Sequence, residues 1–189
     1  MVRAHPRTAP RLVKGADLAV VAGQLGRTPH AMSRVVARCP FGSPVAVETL
    51  PYDAGGRPFP TLFYLTCPTL VAAVSRLESD AGVRAWAARS AAEPALARAV
   101  AAAASAVRRR RRELVRRYDL ALVDGGASLT TGVGGVGDVR AVKCLHAHVA
   151  HALARPGYVF GRAVLAEAGD PWCDDGRCAA FVPPVGVAP

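Results

Sequence analysis

An alanine-rich segment between Pro94 and about Tyr118 limits the fold more than any other part of this chain. Proline is favoured in the first turn of a helix, and alanine has the highest helix propensity of all residues. The segment therefore predicts one long helix. The apolar residues of the whole chain are mostly Ala and Val, and only 6% of residues are aromatic. We therefore expect a core of small side chains in which helices pack against one another.

Three short apolar segments upstream predict strands over residues 33–38, 45–50 and 61–66. Turn signals separate them, with proline and glycine in residues 40–44 and an Asp-Ala-Gly-Gly sequence at residues 53–56. Connections this short join neighbouring strands that run in opposite directions. The pattern therefore predicts a small antiparallel sheet of three strands.

Helical periodicity appears on both sides of the long helix, over residues 16–25, from Pro68 onward, over 83–90, over 138–154 with Asp138 as its N-cap, and over 162–168. The predicted fold class is α+β, with a small three-stranded antiparallel sheet packed against about five helices. We expect a single α+β domain over residues 15–180, a disordered basic N-terminus over 1–14 and a flexible tail over 181–189.

The net charge of +10 is concentrated in one arginine-rich segment. We expect this segment to project into solvent and to contact phosphate backbones or an acidic protein in a salt-sensitive way. Aromatic residues do not alternate with the arginines, so the sequence gives no support for base stacking. The arginines in question are Arg108, Arg109, Arg110, Arg111, Arg112, Arg116 and Arg117.

No run of about 18 apolar residues is present, so the sequence predicts no membrane span. Residues 17–25 are too short and too polar for the apolar core of a signal peptide. We therefore expect a cytoplasmic protein. In that compartment five cysteines argue against a disulfide framework, which leaves metal binding, catalysis or burial as their roles.

Residues 143–153 place one thiol and three imidazoles within about two helical turns. At roughly 100° per residue, Cys144, His148 and His151 share one face of a helix, whereas His146 lies on the other. Cysteine and histidine bind transition metals and also serve as nucleophile and base. The segment indicates a metal site, or else an amphipathic helix with a buried thiol and ordinary packing.

The other four cysteines are further candidate ligands for a metal site. Cys39 and Cys67 each precede a proline, and Cys67 is expected to cap the following helix, where the helix dipole favours a thiolate. Cys173 and Cys178 flank an Asp-Asp-Gly turn with the spacing of a zinc half-site. The sequence leaves open whether the other half comes from Cys144 or from the two upstream cysteines.

A glycine-rich stretch at residues 132–137 formally matches Gly-x-Gly-x-x-Gly. A dinucleotide site also needs a preceding strand and an acidic residue about 20 positions later. Residues 120–123 are a poor strand, and position 157 is glycine. An anion held by backbone N–H groups at the start of a helix remains the weaker alternative for this segment.

Several blocks of the chain together resemble a known bacterial family. They are Gln24-Leu25-Gly26-Arg27, Arg38-Cys39-Pro40-x-Gly42-x-Pro44, Pro58-Phe59-Pro60-Thr61-Leu62-x-Tyr64-Leu65-Thr66-Cys67-Pro68, Leu77-Glu78 and Val142-Lys143-Cys144-Leu145-His146. In this order, between residues 17 and 178, they resemble the domain-of-unknown-function family 501, best known from actinobacteria. The resemblance implies no activity.

The resemblance also singles out individual positions, namely Cys39, Cys67, Cys144, His146, His151 and a tail cysteine that corresponds to Cys178. His148 lies outside the family pattern. The family favours Asn-Pro where this chain has Val159-Phe160, so no role is transferred to that loop.

The leading hypothesis is a cytoplasmic metal-binding protein. Cys39, Cys67, Cys144 and one of His146 or His151 would hold a structural zinc ion. If Cys178 replaced the histidine, an iron–sulfur cluster would become possible. Two alternatives stay open. One is an enzyme that uses Cys67 or Cys144 as a nucleophile with a histidine base. The other is an interaction adaptor that binds through the arginine-rich segment.

Overall fold

The predicted antiparallel sheet forms the centre of the computed structural model, which describes residues 13, 15–53, 55–79, 81–169 and 172–181. Its strands are β1 (Met32–Arg38), β2 (Pro44–Thr49) and β3 (Phe63–Leu65), in the order β1–β2–β3 with both pairs antiparallel. The central strand β2 is buried along its whole length. The predicted disordered N-terminus (1–14) and the predicted flexible tail (181–189) lie outside the described residues, except for residues 13 and 181.

The described residues form six α-helices, and the α+β fold class is confirmed. The long helix appears as predicted and spans 25 residues. Among the described residues no helix combines the length and apolar character needed to cross a bilayer. The helices are α1 (Ala16–Leu25), α2 (Pro68–Ser79), α3 (Gly82–Ala92), α4 (Pro94–Tyr118), α5 (Leu145–Ala154) and α6 (Val159–Glu167).

Helix α5 joins the sheet to the helices, because it packs against both β3 and α6. Gly161 of α6 allows this close packing, since a Cβ atom there would lie 2.3 Å from the backbone oxygen of His148. The predicted start of this helix at Asp138 is wrong. The Asp138 carboxylate accepts the N–H of Arg140 at 2.8 Å, which closes only a local turn, and α5 begins at Leu145.

The arginine-rich segment is not the fully solvated surface that its sequence predicted. Arg111 is completely buried, and its guanidinium donates to the backbone oxygens of Phe59 and Ser128 and to Oγ1 of Thr131. These acceptors replace water, which is why a charged group can be accommodated inside the protein. Arg110 is also tied down, because its Nε lies 2.8 Å from the Glu48 carboxylate. Only part of the patch is therefore open to a partner, mainly Arg109, Arg112, Arg116 and Arg117.

Candidate metal centre

The C-terminal end of α2 meets the N-terminal end of α5 through a single carboxylate. Glu78, in the last turn of α2, accepts the backbone N–H of Leu145 at 2.5 Å. A carboxylate is favourable here because the first N–H groups of a helix have no partner within the helix and carry partial positive charge. Cys144 is the N-cap of α5 and has an extended backbone, with φ −148° and ψ 116°. The contact therefore brings a carboxylate and a thiol to the same helix terminus.

The imidazole of His146 completes this group. Its Nδ1 lies 3.2 Å from Oε1 of Glu78 and 3.9 Å from Sγ of Cys144. One ligand atom from each of the three residues lies within 4.8 Å of the other two. Among the described residues, no other set of three Cys, His, Asp or Glu side chains meets this spacing. We refer to Glu78, Cys144 and His146 as the Glu/Cys/His group.

The second ring nitrogen determines how His146 is oriented. Nε2 lies 3.1 Å from the backbone oxygen of Val71 and 3.1 Å from Oγ of Ser75. A carbonyl oxygen can only accept a hydrogen bond, so Nε2 carries a proton and donates it. The neutral ring then points the lone pair of Nδ1 between the carboxylate and the sulfur. A positive charge between these three electron-rich groups would stabilise their arrangement.

A proton on His146 supplies that positive charge. Burial by itself would lower the pKa of the imidazole. The hydrogen bond to Cys144 and the negative charge of Glu78 outweigh burial, and the pKa rises from 6.5 to about 9. The group is therefore a preformed pocket for positive charge at neutral pH.

The Glu/Cys/His group borders a cavity of about 410 Å³. Cys144 and His146 contribute to its wall, together with Ser75 and the aromatic side chains of Phe63 and Tyr64. The remaining lining residues are Thr61, Leu65, Val71, Gly134 and Ala147. A ligand at this group would therefore have room on one side for a further small molecule.

The glycine-rich loop forms part of this wall and does not have the context of a dinucleotide site. Gly134 has φ +71° and lies so close to α5 that a Cβ atom would touch Ala147 at 3.4 Å. The next α-helix begins only at Leu145. The loop therefore does not place a helix N-terminus directly after its glycines, as phosphate binding of that type requires.

Comparison with protein-family models supplies the family of the chain. The model described as "Protein of unknown function (DUF501)" matches residues 35–166. The chain belongs to the DUF501 family. The resemblance inferred from the sequence blocks is thereby confirmed, and the matched range contains the whole Glu/Cys/His group. Neither the curated proteins nor the solved structures gave a match.

Of the histidines that the sequence offered as partners of Cys144, the structure of this DUF501 protein brings His146 to it, and not His148 or His151. The helical projection placed Cys144 with His148 and His151, but Cys144 is the extended N-cap, where the helical step of 100° does not apply. His148 is fully buried, and its Nδ1 lies 2.6 Å from the hydroxyl of Tyr158. Burial lowers the pKa of His148 to about 3.

His151 lies in the same apolar layer, away from the Glu/Cys/His group. Its ring packs edge-on against Phe63 and Tyr158, with centroids 5.2 and 4.9 Å apart. Burial, with a smaller contribution from the charge of Arg155, lowers its pKa to about 4. These surroundings keep His151 neutral and in contact with aromatic rings.

The remaining predicted ligands, Cys39, Cys67 and Cys178, do not join Cys144. Cys67 immediately precedes α2, whereas Glu78 lies in its last turn, so about 16 Å of helix separates them. The N–H of Cys67 donates to the oxygen of Val45, which places this cysteine beside the start of β2. Glu78 was not among the predicted site residues. The only signal for it was the Leu77-Glu78 block of the family resemblance.

Proposed function

We propose that this DUF501 protein binds a divalent transition-metal ion through Glu78, Cys144 and His146, and that the ion is zinc. The observation that carries the proposal is the spacing of the three ligand atoms, all within 4.8 Å of one another. Zinc combines thiolate, imidazole and carboxylate ligands in tetrahedral sites. Iron–sulfur clusters are held mainly by several thiolates, so a group with one cysteine favours zinc.

The contacts around the ligands support the same conclusion. A histidine that binds metal through one nitrogen usually donates the other N–H to a carbonyl or carboxylate, which fixes the ring. His146 has this arrangement, because Nε2 faces the oxygen of Val71 while Nδ1 faces the other two ligands. The N–H of Leu145 holds the Glu78 carboxylate in place in a similar way. The ligands are therefore oriented before any metal binds.

Three protein ligands leave one position of a tetrahedral zinc ion open. Sites of this kind hold a water molecule or a substrate in the fourth position, whereas purely structural sites are closed by four protein ligands. Cys144 and His146 line the 410 Å³ cavity, so a fourth ligand of the proposed ion would come from that side. The proposed ion is therefore accessible to a small molecule, which it would polarise as a Lewis acid.

Zinc binding by metal-free protein without a histidine tag tests the proposal, in competition with a chromophoric chelator. We expect Glu78→Gln, Cys144→Ser and His146→Gln each to weaken binding more than about tenfold, since even residues behind metal ligands have effects of that size. Glu93→Gln is the matched control, because Glu93 is an exposed carboxylate that pairs with Arg89. Equal affinity of Glu78→Gln and Glu93→Gln would refute the proposed ligand set.

A second candidate function is thiol chemistry by Cys144. Its sulfur borders the cavity and lies 3.9 Å from Nδ1 of His146, and Glu78 orients the ring. Cysteine nucleophiles are activated by an adjacent histidine in this manner. This candidate predicts that Cys144 of metal-free protein reacts with iodoacetamide faster than in the His146→Gln variant. If the protein catalyses a reaction and stays fully active in the presence of strong chelators, that result would favour thiol chemistry by Cys144 over the zinc site.

A further inference from the structure

Another cavity, of about 140 Å³, is lined by residues of α4, of α5 and of the start of β3. Its wall includes three arginines, namely Arg109 and Arg110 of α4 and Arg155, the C-cap of α5. Pockets that bury a drug-sized molecule measure roughly 300–1,000 Å³. This cavity therefore fits one small polar group rather than a large ligand.

Phe63 of β3 positions two side chains in the wall of this cavity. The ring of His151 packs edge-on against Phe63, with centroids 5.2 Å apart, and Cζ of Arg155 lies 5.9 Å from the centre of the same ring. His151 and Arg155 are one helical turn apart, because the N–H of Arg155 donates to the oxygen of His151 at 2.8 Å. An imidazole and a guanidinium group are thus held against one aromatic ring at the edge of the cavity.

The positive charge around the cavity is only partly compensated. Arg110 is fixed by two carboxylates, those of Glu48 at 2.8 Å and Glu113 at 3.3 Å. Within the part of the chain that the structure describes, neither Arg109 nor Arg155 has a carboxylate within ion-pair distance. Both are exposed side chains, so they keep N–H donors for an anion.

His151 adds a buried polar atom to the same wall. The residue is only 3% exposed, and its Nδ1 is buried without a hydrogen-bond partner among the described residues. Buried polar atoms in folded proteins nearly always have a partner. A neutral imidazole has one N–H donor and one acceptor nitrogen, so a ligand with oxygen atoms in this cavity would supply the partner that His151 lacks.

We propose that Arg109, Arg155 and His151 bind a phosphate group, either inorganic phosphate or the phosphate of a small monoester. The planar guanidinium group of arginine matches the oxygens of a phosphate and forms strong, charge-assisted hydrogen bonds with them. A phosphate monoester carries close to two negative charges at neutral pH and presents three acceptor oxygens. Two guanidinium groups from different helices suit this ligand better than a carboxylate, which has one charge and two oxygens.

The proposed phosphate site is separate from the Glu/Cys/His group. Phe63 is the one described residue that lines both this cavity and the 410 Å³ cavity, and none of Glu78, Cys144 and His146 lines the smaller one. The two proposals can therefore fail separately. Metal-free protein is used in the tests, so that phosphate cannot bind through a zinc ion.

Nitrogen NMR of the histidine side chains tests the site in the unmodified sequence. We expect inorganic phosphate at millimolar concentration to shift the ring nitrogens of His151 more than those of His146, and sodium chloride at equal ionic strength to shift neither. Methyl phosphate separates the two sources of the ligand, because tighter binding than inorganic phosphate would indicate a monoester and weaker binding would indicate free phosphate. An unchanged His151 signal with both compounds would overturn the proposal.

Calorimetric titration of arginine variants gives the complementary test. Arg109→Gln and Arg155→Gln should each raise the Kd for phosphate at least about tenfold, because each removes charge-assisted hydrogen bonds. Arg112→Gln is the matched control, since Arg112 is an exposed arginine of the same helix that does not line the cavity, and it should change the Kd less than about twofold. Glu78→Gln should bind phosphate like the unmodified protein. Equal weakening by all three arginine variants, or loss of binding in Glu78→Gln, would overturn the site.

Discussion

Substitution of Glu48 by glutamine tests the ion-pair network that joins β2 to α4. The Glu48 side chain is only 1% exposed and lies between two arginines, with Nε of Arg34 at 2.7 Å and Nε of Arg110 at 2.8 Å. Burial would raise the pKa of this carboxyl group. The hydrogen bonds from Arg110 and Arg34 outweigh burial and lower the pKa from 4.5 to about 2.

This shift sets the size of the expected effect. At about 1.4 kcal/mol per pKa unit, the ionised form of Glu48 contributes roughly 3 kcal/mol to the free energy of unfolding at neutral pH. Arg34 is half exposed, so solvent screening reduces the figure to about 2 kcal/mol. Because the folded-state pKa of Glu48 is depressed, this contribution is present above pH 4.5. It is lost as the pH falls towards 2.

Urea unfolding between pH 7 and pH 3 measures the contribution directly. The free energy of unfolding of the unmodified protein should fall more steeply with acid than that of Glu48→Gln, by about 1–2 kcal/mol over this range. Glu93→Gln, which changes an exposed carboxylate, should follow the unmodified protein. Parallel curves for the unmodified protein and Glu48→Gln would refute the reasoning.

Three further substitutions test the packing of α4, α5 and α6. Gly161→Ala should lower the free energy of unfolding by about 2–3 kcal/mol, because the new Cβ would collide with the backbone oxygen of His148. Gly157→Ala is the control, because a Cβ there meets open space, and it should change the free energy of unfolding little. Equal effects of the two substitutions would contradict the close α5–α6 contact. Arg111→Met should cost at least about 2 kcal/mol in urea unfolding, because buried acceptors lose their donors, and a neutral result would show that the arginine is not needed. Tyr158→Phe should cost about 1–2 kcal/mol, because Nδ1 of His148 loses its partner, and an unchanged midpoint would argue against that hydrogen bond.

The secondary structure was largely predictable because its signals are local. Proline at the first turn, apolar periodicity and turn residues marked α1, the three strands and α4 close to their observed bounds. The start of α5 was not predictable in this way. Asp138 is a favourable capping residue, but the carboxylate that meets the first turn of α5 belongs to Glu78, on a different helix.

In the candidate site, too, residues close in sequence were predictable, whereas residues brought together by packing were not. Cys144 and His146 stand in one short block and were both predicted to be ligands, although the helical projection paired Cys144 with other histidines. The contribution of Glu78 depends on how α2 packs against α5, which no spacing in the chain indicates. Arg111 is a similar case. Five consecutive arginines indicate a solvated surface, and the sequence does not show that a distant loop supplies the acceptors that allow Arg111 to be buried.

Anomalous X-ray diffraction at the zinc absorption edge, from crystals of the tag-free protein, tests the central claim most directly. The account predicts a zinc peak between the three ligands. It should lie about 2.3 Å from Sγ of Cys144 and about 2.0 Å from Nδ1 of His146, with a carboxylate oxygen of Glu78 as third ligand. A structure from zinc-containing crystals in which His146 remains paired with Glu78, and no peak lies between them, would contradict it.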